Sequence, residues 1–157
     1  MPDHILESRL SLPAPRERVF EFFATPENLP AITPEWLRLT LLTRRPIVMS
    51  AGTVLDYRIF WLGLPFRWRS LVREYDPPHR FVDVQVIGPY ARWEHRHIFL
   101  ESEDGTVIED RVTYRLPLGP LGKLAHRVCV RRQLETIFAY RQARLRALLS
   151  RPSGGSS

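Results

Sequence analysis

The segment from Arg80 to Leu116, RFVDVQVIGPYARWEHRHIFLESEDGTVIEDRVTYRL, alternates with period two through three successive runs, and this most constrains the fold. Phe81, Asp83, Gln85 and Ile87 alternate with Val82, Val84 and Val86. After the turn Gly88-Pro89-Tyr90, Trp93, His95, His97 and Phe99 alternate with Arg92, Glu94, Arg96 and Ile98. After a second turn at Ser102 to Gly105, Thr106, Ile108, Asp110, Val112 and Tyr114 alternate with Val107, Glu109, Arg111, Thr113 and Arg115. Such patterning predicts a three-stranded antiparallel meander. The loop lengths set Asp83 opposite His95, Gln85 opposite Trp93, His97 opposite Asp110, His95 opposite Val112 and Trp93 opposite Tyr114. Residues directly opposite share a face. That face is apolar yet studded with ionisable groups, which a core buries only when they are paired or line a cavity.

Upstream, residues 3–12 read as a first strand ended by Pro13 and Pro15. Val19, Phe22 and Phe23 have the spacing of a short amphipathic helix, and residues 26–32 suit a second one kept short by Pro30 and Pro34. Leu37 to Thr43 reads as a second strand, and residues 53–61 and 66–75 as a hairpin around Leu62-Gly63-Leu64-Pro65. In that register Leu55, Tyr57, Ile59 and Trp61 share a face with Phe66, Trp68, Ser70 and Val72, while Ser70 faces Gln85 and Trp68 faces Ile87. Downstream, Gly119-Pro120 opens a long helix to about Leu149. It carries one apolar stripe of Leu121, Leu124, Ala125 and Val128, and an offset one of Val130, Leu134, Ile137, Phe138, Leu145 and Leu148. Residues 1–150 are expected to form one domain and the polar residues 151–157 a disordered tail. No internal repeat divides the chain.

The bulk numbers narrow the class. Hydrophobic content of 44% and charged content of 25% fit a soluble globular protein. Cys129, the single cysteine, excludes an internal disulfide and fits a cytoplasmic setting. No run approaches the roughly 20 apolar residues that span a bilayer, and MPDHILESRL lacks a signal core. Net charge is +6, with every basic residue but Lys123 an arginine. Arg58, Arg67, Arg69, Arg73, Arg92, Arg96, Arg111 and Arg115 fall on the outer face and offer a surface for an acidic partner or a membrane. Interspersed Asp56, Glu94 and Glu109 argue against nucleic acid.

The residues with chemistry gather on the inner face. Asp83, His95, His97 and Asp110 are the acid–base candidates should the protein be an enzyme, but no catalytic residue is assigned. The His-x-His spacing arises from strand alternation alone, so no metal is assigned, and no cofactor motif is present. Tyr57, Trp61, Trp68, Trp93 and Tyr114 form an aromatic wall suited to a flat or lipidic ligand, with Ser70 and Gln85 as small polar anchors. Asp83, His95, His97 and Asp110 join them as ligand-binding candidates. Arg127, Arg131 and Arg132 lie between the helix stripes and are read as solvated. Cys129 and His126, three apart on that helix, lack an orienting third group for nucleophile chemistry.

The order of strand, two short helices, six strands and a long helix resembles the helix-grip fold of the START/SRPBCC superfamily. The likeness extends to bacterial polyketide cyclase/dehydrase-like proteins of unassigned function. Locally it rests on Trp68, Phe81-Val82-Asp83, Gly88-Pro89-Tyr90, Trp93 with His95 and His97, Asp110-Arg111-Val112-Thr113-Tyr114 and Leu116-Pro117-Leu118-Gly119-Pro120-Leu121-Gly122. The resemblance covers roughly residues 3–149. It implies an α+β fold: a strongly bent antiparallel sheet of about seven strands around the C-terminal helix, with two short helices after strand 1. It also implies a small hydrophobic partner, a lipid, isoprenoid or polyketide-like compound, in a cavity between sheet and helix. The alternatives are an aromatase/cyclase-type enzyme and an interaction module using the arginine face. Peripheral membrane contact, and monomer against homodimer, are left open by the sequence.

Overall fold

The computed structural model describes residues 3–150. The strands are β1 (His4–Leu12), β2 (Thr40–Leu41), β3 (Val54–Trp61), β4 (Leu64–Asp76), β5 (Arg80–Ile87), β6 (Arg92–Ser102) and β7 (Gly105–Arg115). They form one antiparallel sheet in the order β1-β7-β6-β5-β4-β3-β2. The chain's first strand therefore closes beside its last. Helix α1 (Arg16–Phe23) and 3₁₀ turns at Pro26–Ile32 and Glu35–Leu37 follow β1. The chain then runs through α2 (Gly119–Ala125), a π turn (His126–Val130) and α3 (Arg131–Leu149). A bent sheet of seven strands grips this long C-terminal helix, as the order of elements implied.

The meander has the expected register at its centre. Asp83 pairs with His95, and His97 pairs with Asp110. His95 pairs with Val112, and Trp93 with Tyr114. One pair is corrected. The ladder between β5 and β6 ends at Val84 and Glu94, because the Gln85 side chain instead bonds the Tyr90 backbone. Its Nε2 donates to the carbonyl of Tyr90 at 2.8 Å, and the Tyr90 amide donates to its Oε1 at 3.1 Å. At Gly105 the turn into β7 presses against β1, and a Cβ there would lie 2.1 Å from the Leu12 carbonyl oxygen.

Other differences have local causes. The β3–β4 loop is the two-residue Leu62-Gly63, with Trp61 opposite Leu64. The four-residue expectation was long by two, and a slip of two leaves every side chain on its face. A bulge between Arg69 and Ser70 sets Arg69, not Trp68, against Ile87, while Ser70 keeps Gln85. Strand β2 shrinks to two residues, because Leu37 closes a 3₁₀ turn and Arg38 takes a left-handed φ of 45°. Pro30 inside the Pro26–Ile32 segment holds it to a 3₁₀ turn.

The first stripe of the long helix is not core. Leu121, Leu124 and Val128 are 68%, 57% and 70% exposed. The π turn adds a residue to one turn of backbone and rotates the faces on either side of it, so only the second stripe packs inward. Leu134, Phe138, Leu145 and Leu149 are buried, while Leu148 is not.

Three apolar clusters hold the sheet, α1 and α3 together. Phe20, Phe81, Phe99, Ile108 and Leu145 belong to the cluster under α1. Val112, Tyr114, Val130, Leu134 and Phe138 join β7 to α3. Leu55, Tyr57 and Val72 join β3 to β4. Each fully buried aromatic or aliphatic side chain here contributes about 1.5–3 kcal/mol relative to exposure. Between the clusters the sheet and α3 stand apart, and the gap is the cavity.

Candidate functional site

The cavity measures about 210 Å³. Strands β3 and β4 supply Tyr57, Trp61, Trp68 and Ser70; β5 and β6 supply Asp83, Trp93, His95 and His97. Gln133, Leu134, Ile137, Phe138 and Arg141 of α3 close the other side. Eight of the eleven residues singled out from sequence thus line it. Gln85, Asp110 and Tyr114 do not. Gln85 is spent on the Tyr90 turn, which brings Tyr90 itself to the wall. Tyr114 is buried in the β7–α3 cluster, its hydroxyl 2.7 Å from His126 Nε2. Asp110 stands behind the histidines.

The polar end is a buried charge network. The Nε2 of His95 lies 2.9 Å from Asp110 Oδ1, and that of His97 lies 2.9 Å from Asp83 Oδ2. The other ring nitrogen of His97, Nδ1, is 3.1 Å from Asp110 Oδ1, an ion-pair distance with an angle too poor for a hydrogen bond. His97 therefore has a carboxylate beside each nitrogen. Burial disfavours its charge, but the two aspartates outweigh that and raise its pKa. Burial chiefly, and the neighbouring His97 charge next, lower the pKa of His95. Burial works to raise both aspartates, yet their histidine partners hold both below the usual carboxylate range. These directions favour charge on His97, which has a carboxylate on either side, over charge on His95, whose Nε2 faces Asp110. The imidazoles stack at 3.7 Å between centroids, and Phe81 covers His97 at 4.1 Å. This packing holds both rings in place against their carboxylates.

Asp83, His95 and His97 offer donor atoms within 4.8 Å of one another, a spacing compatible with a metal ion. All three are already engaged with one another or with Asp110, since His97 bonds Asp83 and His95 bonds Asp110, so a cation would compete with these contacts for the imidazole nitrogens.

Ser70 has a structural partner, accepting the Trp68 indole N–H at 3.0 Å. Trp61 donates its indole N–H to Gln133 Oε1, bridging β3 to α3 across the cavity. Trp68, Tyr90 and Trp93 meet edge-on or tilted with centroids 4.8–5.8 Å apart, forming a stiff aromatic corner.

Gln133 and Arg141 of α3 line the cavity with polar reach and are not among the residues singled out from sequence. The three arginines weighed there, Arg127, Arg131 and Arg132, are all exposed. The signal for Arg141 was present: it continues the stripe of Leu134, Phe138 and Leu145 at spacings of three and four, an arginine where a core residue belongs. His126 sits on Tyr114 and stacks on His4 at 3.6 Å, so its partners lie away from Cys129. On the outer face, Arg67 and Arg69 pair with Asp56, Arg73 and Arg92 with Glu94, and Arg111 with Glu7. Among the described residues no helix is long and apolar enough to cross a membrane.

A family model described as polyketide cyclase/dehydrase and lipid transport matches residues 12–138. The chain belongs to that family. No curated protein sequence matches this member of it. Among solved structures, a Chromobacterium violaceum protein superposes with a TM-score of 0.75 at 14% identity, over 96% of this chain and 100% of its own. The di-domain ARO/CYC StfQ of the steffimycin biosynthetic pathway gives 0.72 at 19% identity, over 94% of this chain and 51% of its own. A START superfamily protein from Mycobacterium smegmatis gives 0.66 at 14% identity, over 92% and 99%. At these identities the likeness is one of fold, the helix-grip fold that the START superfamily protein shares.

Proposed function

We propose that this protein binds a small hydrophobic ligand between the sheet and α3, against the aromatic corner and the ionisable cluster. The observation that carries the reading is the cavity itself. A well-packed core of this size leaves few voids larger than a water molecule, whereas this one is roomier than the roughly 150 Å³ that accepts a benzene. Its wall is largely aromatic and aliphatic, with the charged groups confined to one end, the usual make-up of a site that encloses an amphipathic small molecule. The ligand-binding character of the START-like fold and the family's description support the same reading.

The test is native mass spectrometry of the purified protein, paired with titration of an environment-sensitive apolar dye. Dye binding with Kd in the micromolar range is expected, and Trp93→Ala should weaken it about tenfold while circular dichroism stays unchanged. A protein that binds no apolar probe and carries no extra mass would refute the reading.

Acid–base catalysis of the kind an aromatase/cyclase performs is the second reading. One observation favours it: Asp83 and two histidines lie on the cavity wall, each histidine at hydrogen-bond distance from a carboxylate. Turnover of a poly-β-keto substrate that is equal in the wild type and in His97→Ala would reject it.

A further inference from the structure

The charge network leaves one cation without a hydrogen-bonding partner. Arg141 projects from α3 beside Phe138, its guanidinium carbon 5.2 Å from that ring's centroid, and lines the cavity. Its Nε is buried and makes no hydrogen bond. Among the described residues, no carboxylate oxygen stands within the 4.0 Å of an ion pair with it. The two nearby carboxylates, Asp83 and Asp110, direct oxygens at His97 and His95 instead. An arginine in a protein cannot shed its charge, and its fork presents five donors. A buried donor left unmade costs about 1–3 kcal/mol, more for a charged group. A fold rarely keeps such a group in its wall unless something else satisfies it.

We infer that Arg141 is the anchor for an anionic head group, and that the natural ligand is an apolar acid whose carboxylate sits on this guanidinium while its ring or chain lies against Trp68, Tyr90 and Trp93. The inference rests on the ligand-binding reading above and adds the ligand's chemical class. Carboxylate is the match because its two oxygens meet the planar fork in parallel, and charge-assisted bonds of this type are about twice as strong as neutral ones. Burial lowers the pKa of Arg141, with Asp110, Asp83 and Tyr57 opposing that shift, as expected of a half-buried cation whose counter-charges stand at a distance.

The experiment compares 2-naphthoate with 2-naphthylmethanol, which share a two-ring body and differ in head group. Isothermal titration calorimetry is run on the wild type, Arg141→Gln and Arg141→Lys. The acid should bind the wild type at least tenfold more tightly than the alcohol. Arg141→Gln should bring the two within twofold, and Arg141→Lys should retain part of the preference. Equal binding of acid and alcohol to the wild type, or a preference that survives Arg141→Gln, overturns the anchor while leaving the cavity reading intact. Failure of both probes to bind the wild type overturns the anchor and the cavity reading together. Should Arg141→Gln prove poorly folded, Arg141→Lys carries the test, and a preference undiminished in it overturns the anchor.

Discussion

His97 is the residue on which the buried network turns, because its protonation balances two carboxylates. Its pKa is raised from the ordinary 6.5: burial opposes the charge, but Asp110 and Asp83 prevail. A base whose folded pKa exceeds its unfolded one contributes stability that is complete below the unfolded value and fades as pH rises through the folded value. His95 works in the opposite sense, since a depressed pKa costs stability as pH falls below 6.5. The thermal midpoint of the wild type should therefore decline as pH is raised above 6.5, and His97→Asn should lack that decline. Differential scanning fluorimetry across the alkaline side of 6.5 measures it, with nitrogen chemical shifts of His97 reporting a ring that titrates above 6.5. A flat wild-type profile, or a His97 ring that titrates at or below 6.5, contradicts the raised pKa.

At the scale of elements, the turn between β3 and β4 offers a direct test of local physics. Leu62 and Gly63 have φ of 53° and 77°, the pair of left-handed conformations of a type I′ turn. Glycine adopts this freely, but a leucine there carries a penalty of roughly 1–2 kcal/mol. The Leu62 side chain is exposed and loses little on replacement. Leu62→Asn should therefore raise stability by about 1 kcal/mol, or about 2–4 °C in melting temperature for a chain of this size. Unchanged or lowered stability in a thermal melt would count against the I′ assignment. The same hairpin marks how legible the elements were. Alternation in β3 and β4 fixed the faces correctly, since a slip of two residues cannot move them, yet it could not choose between a two- and a four-residue loop. In β6 and β7 long unbroken alternation left little room for error, and the pairing of His97 with Asp110 was readable from sequence. The π turn at His126–Val130 was not: its one extra residue left only two offset stripes as a trace, and both looked like packing faces. Arg141 left a trace too, a charge at the three- and four-residue spacing of the apolar stripe of Leu134, Phe138 and Leu145.

For the whole molecule the issue is what separates the sheet from α3. The indole-to-amide bond of Trp61 and Gln133 ties the two layers at one point, while the ionisable cluster and Arg141 hold polar groups between them. A fold that only needed stability would close such a gap with apolar side chains, since burying about 25 cal/mol per Å² is available to it. Ile137 lies on α3, half-buried and facing the cavity beside Phe138. Ile137→Phe adds apolar bulk to that space without touching Arg141 or the histidine network. Stability should stay within about 1.5 kcal/mol of the wild type, since the added atoms enter a void rather than a packed core. Ligand affinity should fall at least tenfold, read by displacement of the same apolar dye and by loss of ligand-induced stabilisation, which is about 2.7 kcal/mol for a ligand at a hundred times its Kd. If the larger side chain instead destabilises the fold strongly, the space was already filled by its own walls. If binding is untouched, the ligand lies elsewhere. Only retained stability together with lost binding fits a chain that keeps its two layers apart for an occupant.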